Sequence, residues 1–124
     1  MADVLTTMGY TQKSQSISMI VDLEKCVIDQ TAGFDDKTPI KWNDNQLNDW
    51  MIPLIGAFES TIEICSIYAT THANALKWHI NLRHFSLYKQ EKPVASITLS
   101  MHDNTTARID NVGTSTPIAG QGIC

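Results

Sequence analysis

No stretch of this sequence is long and apolar enough to cross a bilayer. The first ten residues, MADVLTTMGY, have neither the basic start nor the apolar run of a secretory leader. There is no CxxC pair, and the cysteines, Cys26, Cys65 and Cys124, are odd in number. These absences exclude a disulfide framework and lead to the expectation of a reducing, cytoplasmic compartment with free thiols and no membrane. Lys and Arg number 9 against 13 Asp and Glu, for a net charge of -4 and a pI near 5.4. A nucleic-acid partner requires clustered cations, so nucleic acid is not expected. The one basic neighbourhood (Lys77, Arg83, His84, Lys89, Lys92) is interleaved with apolar residues and reads as a solvated strand face.

What the chain does have is ordinary globular material. It has 124 residues, 43% hydrophobic and 18% charged, enough for one domain with a core and too apolar for disorder. Val4, Leu5 and Met8 stand at helical spacing before Gly9, which reads as a short helix over residues 1–10. QSISMIVDL follows with Ile17, Met19, Ile20, Val21 and Leu23, the pattern of a strand. Residues 24–37 read as a linker, and 39–42 as a short strand. The boundary falls there: 1–38 as an N-terminal strand and linker segment, and 39–124 as a domain.

The strongest helical signal is WNDNQLNDWMIPLIGAFES, with Leu47, Trp50, Met51, Leu54, Ile55 and Phe58 on one stripe. Asn43 or Asp44 can cap its first turn, and Pro53 predicts a kink. A second helix is expected over 61–75, with Ile62, Cys65, Ile67 and Tyr68 as its stripe. The three tryptophans, 42, 50 and 78, read as core. After Ala75 the pattern changes to strands. LKWHINLRHFSLYK is rich in aromatic and branched residues, and QEKP is a turn. PVASITLSMH alternates, with Ala95, Ile97, Leu99 and Met101 on one face and Val94, Ser96, Thr98 and Ser100 on the other. HDNTT turns the chain into ARIDNVGT, completing a three-strand antiparallel meander.

The order strand, two helices, three strands and a glycine loop resembles the GNAT superfamily of acetyl-CoA-dependent N-acetyltransferases. The stretch 83–124 is similar to that family's second to fourth strands and the start of its cofactor loop. Lys92-Pro93-Val94-Ala95 fits one family strand, and Ala107 to Thr114 followed by Gly120-Gln121-Gly122-Ile123 fits the next. The upstream MGYTQKSQSISMIVDL resembles a stretch that precedes the domain in some longer members. The resemblance implies an α/β (α+β) fold: a mostly antiparallel sheet with two helices, as a partial GNAT fold. It implies acetyl transfer from acetyl-CoA to an amine. It also implies that the last strand splays and offers backbone groups to the pantetheine arm. The cofactor-binding residues it implies are Val112, Gly113, Thr114, Gly120, Gln121, Gly122 and Ile123. A helix N-terminus beyond such a loop carries partial positive charge for a pyrophosphate, and glycines let backbone approach it.

The family signature Q/R-x-x-G-x-G/A falls on Ala119 to Cys124, and departs from it at both ends. The family's next helix and later strands would follow Cys124, so the chain reads as truncated at the cofactor loop, with weak or absent acetyl-CoA binding. The alternative is a non-catalytic remnant or interaction module, a homodimer formed through an open sheet edge. No residue is singled out as catalytic. Glu59, Glu63 and Asp110 read first as solvated or structural carboxylates. The histidines, 72, 79, 84 and 102, lack cysteines at ligand spacing, so no metal is expected. Cys65 paired with His72 or His84 mimics a nucleophile pair, but on an apolar stripe a buried inert thiol is the simpler reading. Asn104-Thr105-Thr106 matches a glycosylation sequon by chance in a turn.

Overall fold

A computed structural model describes residues 2–26 and 39–115. The chain divides into two units, residues 1–32 and 33–124. No helix among the described residues is long and apolar enough to cross a membrane.

In the first unit, α1 spans Ala2–Thr7. Gly9 closes it at φ 90, where only a residue without a Cβ sits without strain. The Gly9 and Tyr10 amides return to the Thr6 and Leu5 carbonyls, at 3.0 Å each, satisfying the helix end. The strand expected in QSISMIVDL does not form: residues 10–22 carry neither helix nor strand. Its apolar side chains are exposed, Ile17 by 87% and Met19 by 92%.

The second unit is a mixed α/β layer structure. The strands β1 (Ile40–Trp42), β2 (Leu82–Lys89), β3 (Lys92–Met101) and β4 (Ala107–Thr114) form an antiparallel sheet in the order β1-β2-β3-β4. The helices α2 (Leu47–Ala57) and α3 (Ile62–Lys77) pack on each other, and α2 lies over β2, β3 and β4. Thr61 caps α3, its hydroxyl accepting from the Ile64 amide at 3.3 Å. Neither Asn43 nor Asp44 caps α2. Gln46 stands at that position without a side-chain cap. Pro53 sits inside α2, buried.

The core is narrower than the stripes suggested. Trp50, Met51, Leu54, Cys65 and Ala69 form it, with Leu47 and Ile55 packed against them. Phe58, Ile62, Ile67 and Tyr68 are exposed instead, because α3 meets α2 through the small residues Cys65 and Ala69. Of the tryptophans only Trp50 is core. Trp42 lies open beneath the Arg83 guanidinium, 5.2 Å from the ring, and Trp78 caps α3 at 80% exposure.

The two faces of the sheet reverse the usual rule. His84, Ser86 and Tyr88 of β2, and Ser96 and Thr98 of β3, are buried on the helix side. Phe85, Leu87, Ile97 and Leu99 alternate with them and are half-buried on the outer side. The covered face is therefore polar, and hydrogen bonds offset most of its burial, with Thr98 Oγ1 and Asn43 Oδ1 left without a partner. Asn43 Nδ2 donates to Ser86 Oγ (3.1 Å) and Tyr88 Oη (3.0 Å). Ser86 and Ser96 share a bond at 3.0 Å, and Tyr88 donates to Asp49 on α2 at 2.6 Å. Burial first, and then the Asp49 carboxylate, hold the Tyr88 phenol above its ordinary pKa.

A histidine relay beside an apolar groove

The same polar face carries a second chain of bonds. Asp44, in the turn after β1, places Oδ1 2.8 Å from both the backbone amide and Nδ1 of His84. His84 Nε2 lies 2.7 Å from Nδ1 of His72 on α3. The bonds fix the tautomers in sequence. Asp44 is acceptor-only, so His84 Nδ1 donates to it and leaves Nε2 as an acceptor. His72 Nδ1 then donates to His84, and the free lone pair of the chain falls on His72 Nε2.

Burial accounts for the electrostatics. Burial holds His84 below the ordinary imidazole value of 6.5, against the opposing pull of its bond to Asp44. Burial also lowers His72, His84 lowers it further, and Asp110 pulls it the other way. With both rings held below 6.5, two neutral imidazoles, each bridge holding one proton, satisfy this geometry at neutral pH. His84 is fully buried and His72 is partly exposed, so the relay runs from the interior to an accessible ring.

Trp50 holds both rings. Its ring centroid is 4.7 Å from that of His72 and 4.9 Å from that of His84, the latter edge-on. The sheet register supplies the floor: His84 pairs with Thr98, and Thr98 pairs with Asp110. Asp110 is held by Arg108 Nε at 2.8 Å. Beside this cluster, Trp50, Leu54, Phe58, Cys65, Tyr68 and Asn111 line a groove of about 340 Å³ between the two helices and β4. Tyr68 stands one helical turn before His72, so groove and relay adjoin.

The residues expected from sequence fall out differently. Glu59, at φ 48 after α2, and Glu63 are exposed and belong to neither relay nor groove. Asp110 does join the site, through its field on His72. Val112 is exposed on β4. Gly113 is a packing residue: a Cβ there would stand 2.8 Å from Ala57 Cβ and 2.9 Å from Leu54 Cδ2. The β4 strand stays paired with β3 as far as Thr114, which faces Ala95, rather than splaying from it. Its other edge is free of any described strand. Gly120, Gln121, Gly122 and Ile123 lie outside the described residues. Cys65 is a buried free thiol lining the groove. No group of three metal-ligating side chains converges among the described residues, and the two imidazoles face each other through a hydrogen bond.

Sequence reasoning missed the relay. From the sequence His72 and His84 read as metal ligands or partners of Cys65, and Asp44 as a cap; His84 also reads as part of a solvated strand face, whereas it is fully buried. The available signal was parity: His84, Ser86 and Tyr88 share one face of β2, and a polar strand face beside amphipathic helices needs partners. Compared with known protein families, curated proteins and solved structures, the chain has no match in any of the three.

Proposed function

We propose that residues 33–124 form a general-base acyl-transfer domain of the acetyl-CoA-dependent N-acetyltransferase type, with His72 as proton acceptor. One observation carries the reading: the Asp44–His84–His72 chain ends on a partly exposed imidazole, packed against the Trp50 that also lines an apolar groove. The order strand, two helices, antiparallel meander supports it, being the order the family resemblance implies.

The chain's own residues supply three things. The groove seats the apolar part of an amine against Trp50, Leu54, Phe58 and Tyr68. His72 Nε2 takes the proton that the nitrogen must lose as its new bond to carbon forms. Asp110 then stabilises the imidazolium by its charge, and His84, anchored by Asp44, holds the ring in orientation. Acetyl-CoA supplies the activated acetyl group, its C–S bond breaking as the amide forms.

The test is thiol release from acetyl-CoA by the full chain, across a panel of primary amines with apolar substituents. Turnover by the wild type, with kcat reduced about 10²–10⁴-fold in His72→Gln, is the expected outcome. Wild-type protein that releases no thiol with any amine overturns the acyl-transfer reading. Turnover unchanged in His72→Gln removes His72 from the role.

A further inference from the structure

An unpaired strand sequence and an unpaired sheet edge occur in the same chain. We infer that residues 16–23 of one copy add as an antiparallel strand to the free edge of β4 in a second copy.

The edge comes first. β4 is 8 residues long and is the last described strand of the sheet, so no described strand pairs with its outer edge. Natural edges are blunted by lysine, proline or a covering element. β4 has neither Lys nor Pro, and its two charges, Arg108 and Asp110, pair with each other at 2.8 Å. A bulge near Asn111, at φ 51, disturbs only its later half and leaves residues 107–110 regular. On the outer face Ile109 is 61% exposed.

The donor matches it. Residues 16–23, SISMIVDL, are as long as β4. Ile17, Met19, Val21 and Leu23 alternate with Ser16, Ser18, Ile20 and Asp22, which is a strand pattern carrying one apolar face. All four of those apolar side chains are exposed, and the segment forms no strand. In the antiparallel register that overlaps the two segments fully, Val21 falls opposite Ile109 and Leu23 opposite Ala107, on the apolar outer side. Asp22 falls opposite Arg108 on the other side. Over residues 107–110 two apolar pairs and one carboxylate–guanidinium pair thus fall in register, with Ile20 opposite Asp110 as the one mismatch.

The donor is taken from a second copy: within one chain the segment pairs with no described strand, and the described sheet holds four strands without it. Recognition is strand addition, with main-chain bonds giving affinity and alternate side chains giving register.

The test uses the full chain and sedimentation equilibrium over a broad concentration range, with amide exchange on the same samples. The expected result is a concentration-dependent dimer or larger species in which the amides of residues 16–23 become protected. The double variant Ile20→Pro/Val21→Pro is expected to dissociate it by at least about tenfold in Kd, at unchanged melting temperature. Consecutive amides point to opposite sides of a strand, so one of the two prolines always removes a ladder donor. A monomer at every concentration overturns the inference, whether or not those amides are protected. A dimer untouched by the proline pair overturns it too, and places the contact elsewhere, as on the outer face of the sheet.

Discussion

The segments SISMIVDL and PVASITLSM have the same alternation and opposite fates. The second is most of β3, paired on both sides and covered by α2. The first is no strand at all, and its apolar residues face solvent. Alternation therefore specifies two faces, and it does not specify a neighbour. β3 has its neighbours through short turns at residues 90–91 and 102–106, where loop closure costs little. Residues 16–23 lie far along the chain from every described strand.

The largest effect that separates the two segments is a buried charge. Val94 is 9% exposed in β3. Val94→Asp is expected to cost at least about 3 kcal/mol, because an unpaired carboxylate in that layer has lost its water. Val21→Asp, the same change at a matching alternate position, is expected to move unfolding by no more than about 0.5 kcal/mol. It should instead weaken association. Urea unfolding of both variants makes the comparison, and equal losses would show that residues 16–23 belong to the folded core.

A middle-sized effect sharpens the contrast between the two sides of β4. Its helix side is closed at Gly113, where a methyl group would stand 2.8 Å from Ala57 and 2.9 Å from Leu54. Gly113→Ala is expected to cost about 1–3 kcal/mol, since Leu54 and Ala57 belong to a helix that must shift as a body. Val112→Ala, at an exposed position on the same strand, should cost well under that. Thermal unfolding that ranks the two variants in the reverse order would contradict the packing of α2 on β4.

Much of the second unit was legible because its signals are local. The period of residues 47–58 and the turns QEKP and HDNTT each lie within a few residues of what they specify. The burial of the polar face was not legible. In PVASITLSM, Ser96 and Thr98 read only as the face opposite Ile97 and Leu99, and what covers that face lies in other elements. Asn43 reaches Ser86 across 43 positions, and Asp44 reaches His84 across 40. Hydrogen bonds over such separations leave no trace in a single sequence. Trp42 and Trp78 misled for the converse reason: a large apolar side chain favours cover, and among the described residues no element buries either.

The smallest effect is in pH, and it isolates the relay from the rest of the molecule. Both imidazoles sit below their ordinary value of 6.5 in the folded chain, mainly through burial. In the window just beneath 6.5 the unfolded chain therefore binds more protons than the folded one, and stability falls as pH is lowered through it. Asp103, held below its ordinary 3.8 by bonds from Thr105 and Thr106, acts only at far lower pH. The melting temperature is thus expected to drop between pH 7.5 and pH 5.5, by roughly 1 kcal/mol of stability or less. His72→Gln should flatten the slope while keeping a donor toward His84. Residues 16–23 contain no histidine, so association measured over the same pH steps should not follow the melting curve. A wild-type melting temperature that rises on acidification would mean that the two imidazoles are charged in the fold, and the proton order assigned from Asp44 to His72 would be wrong.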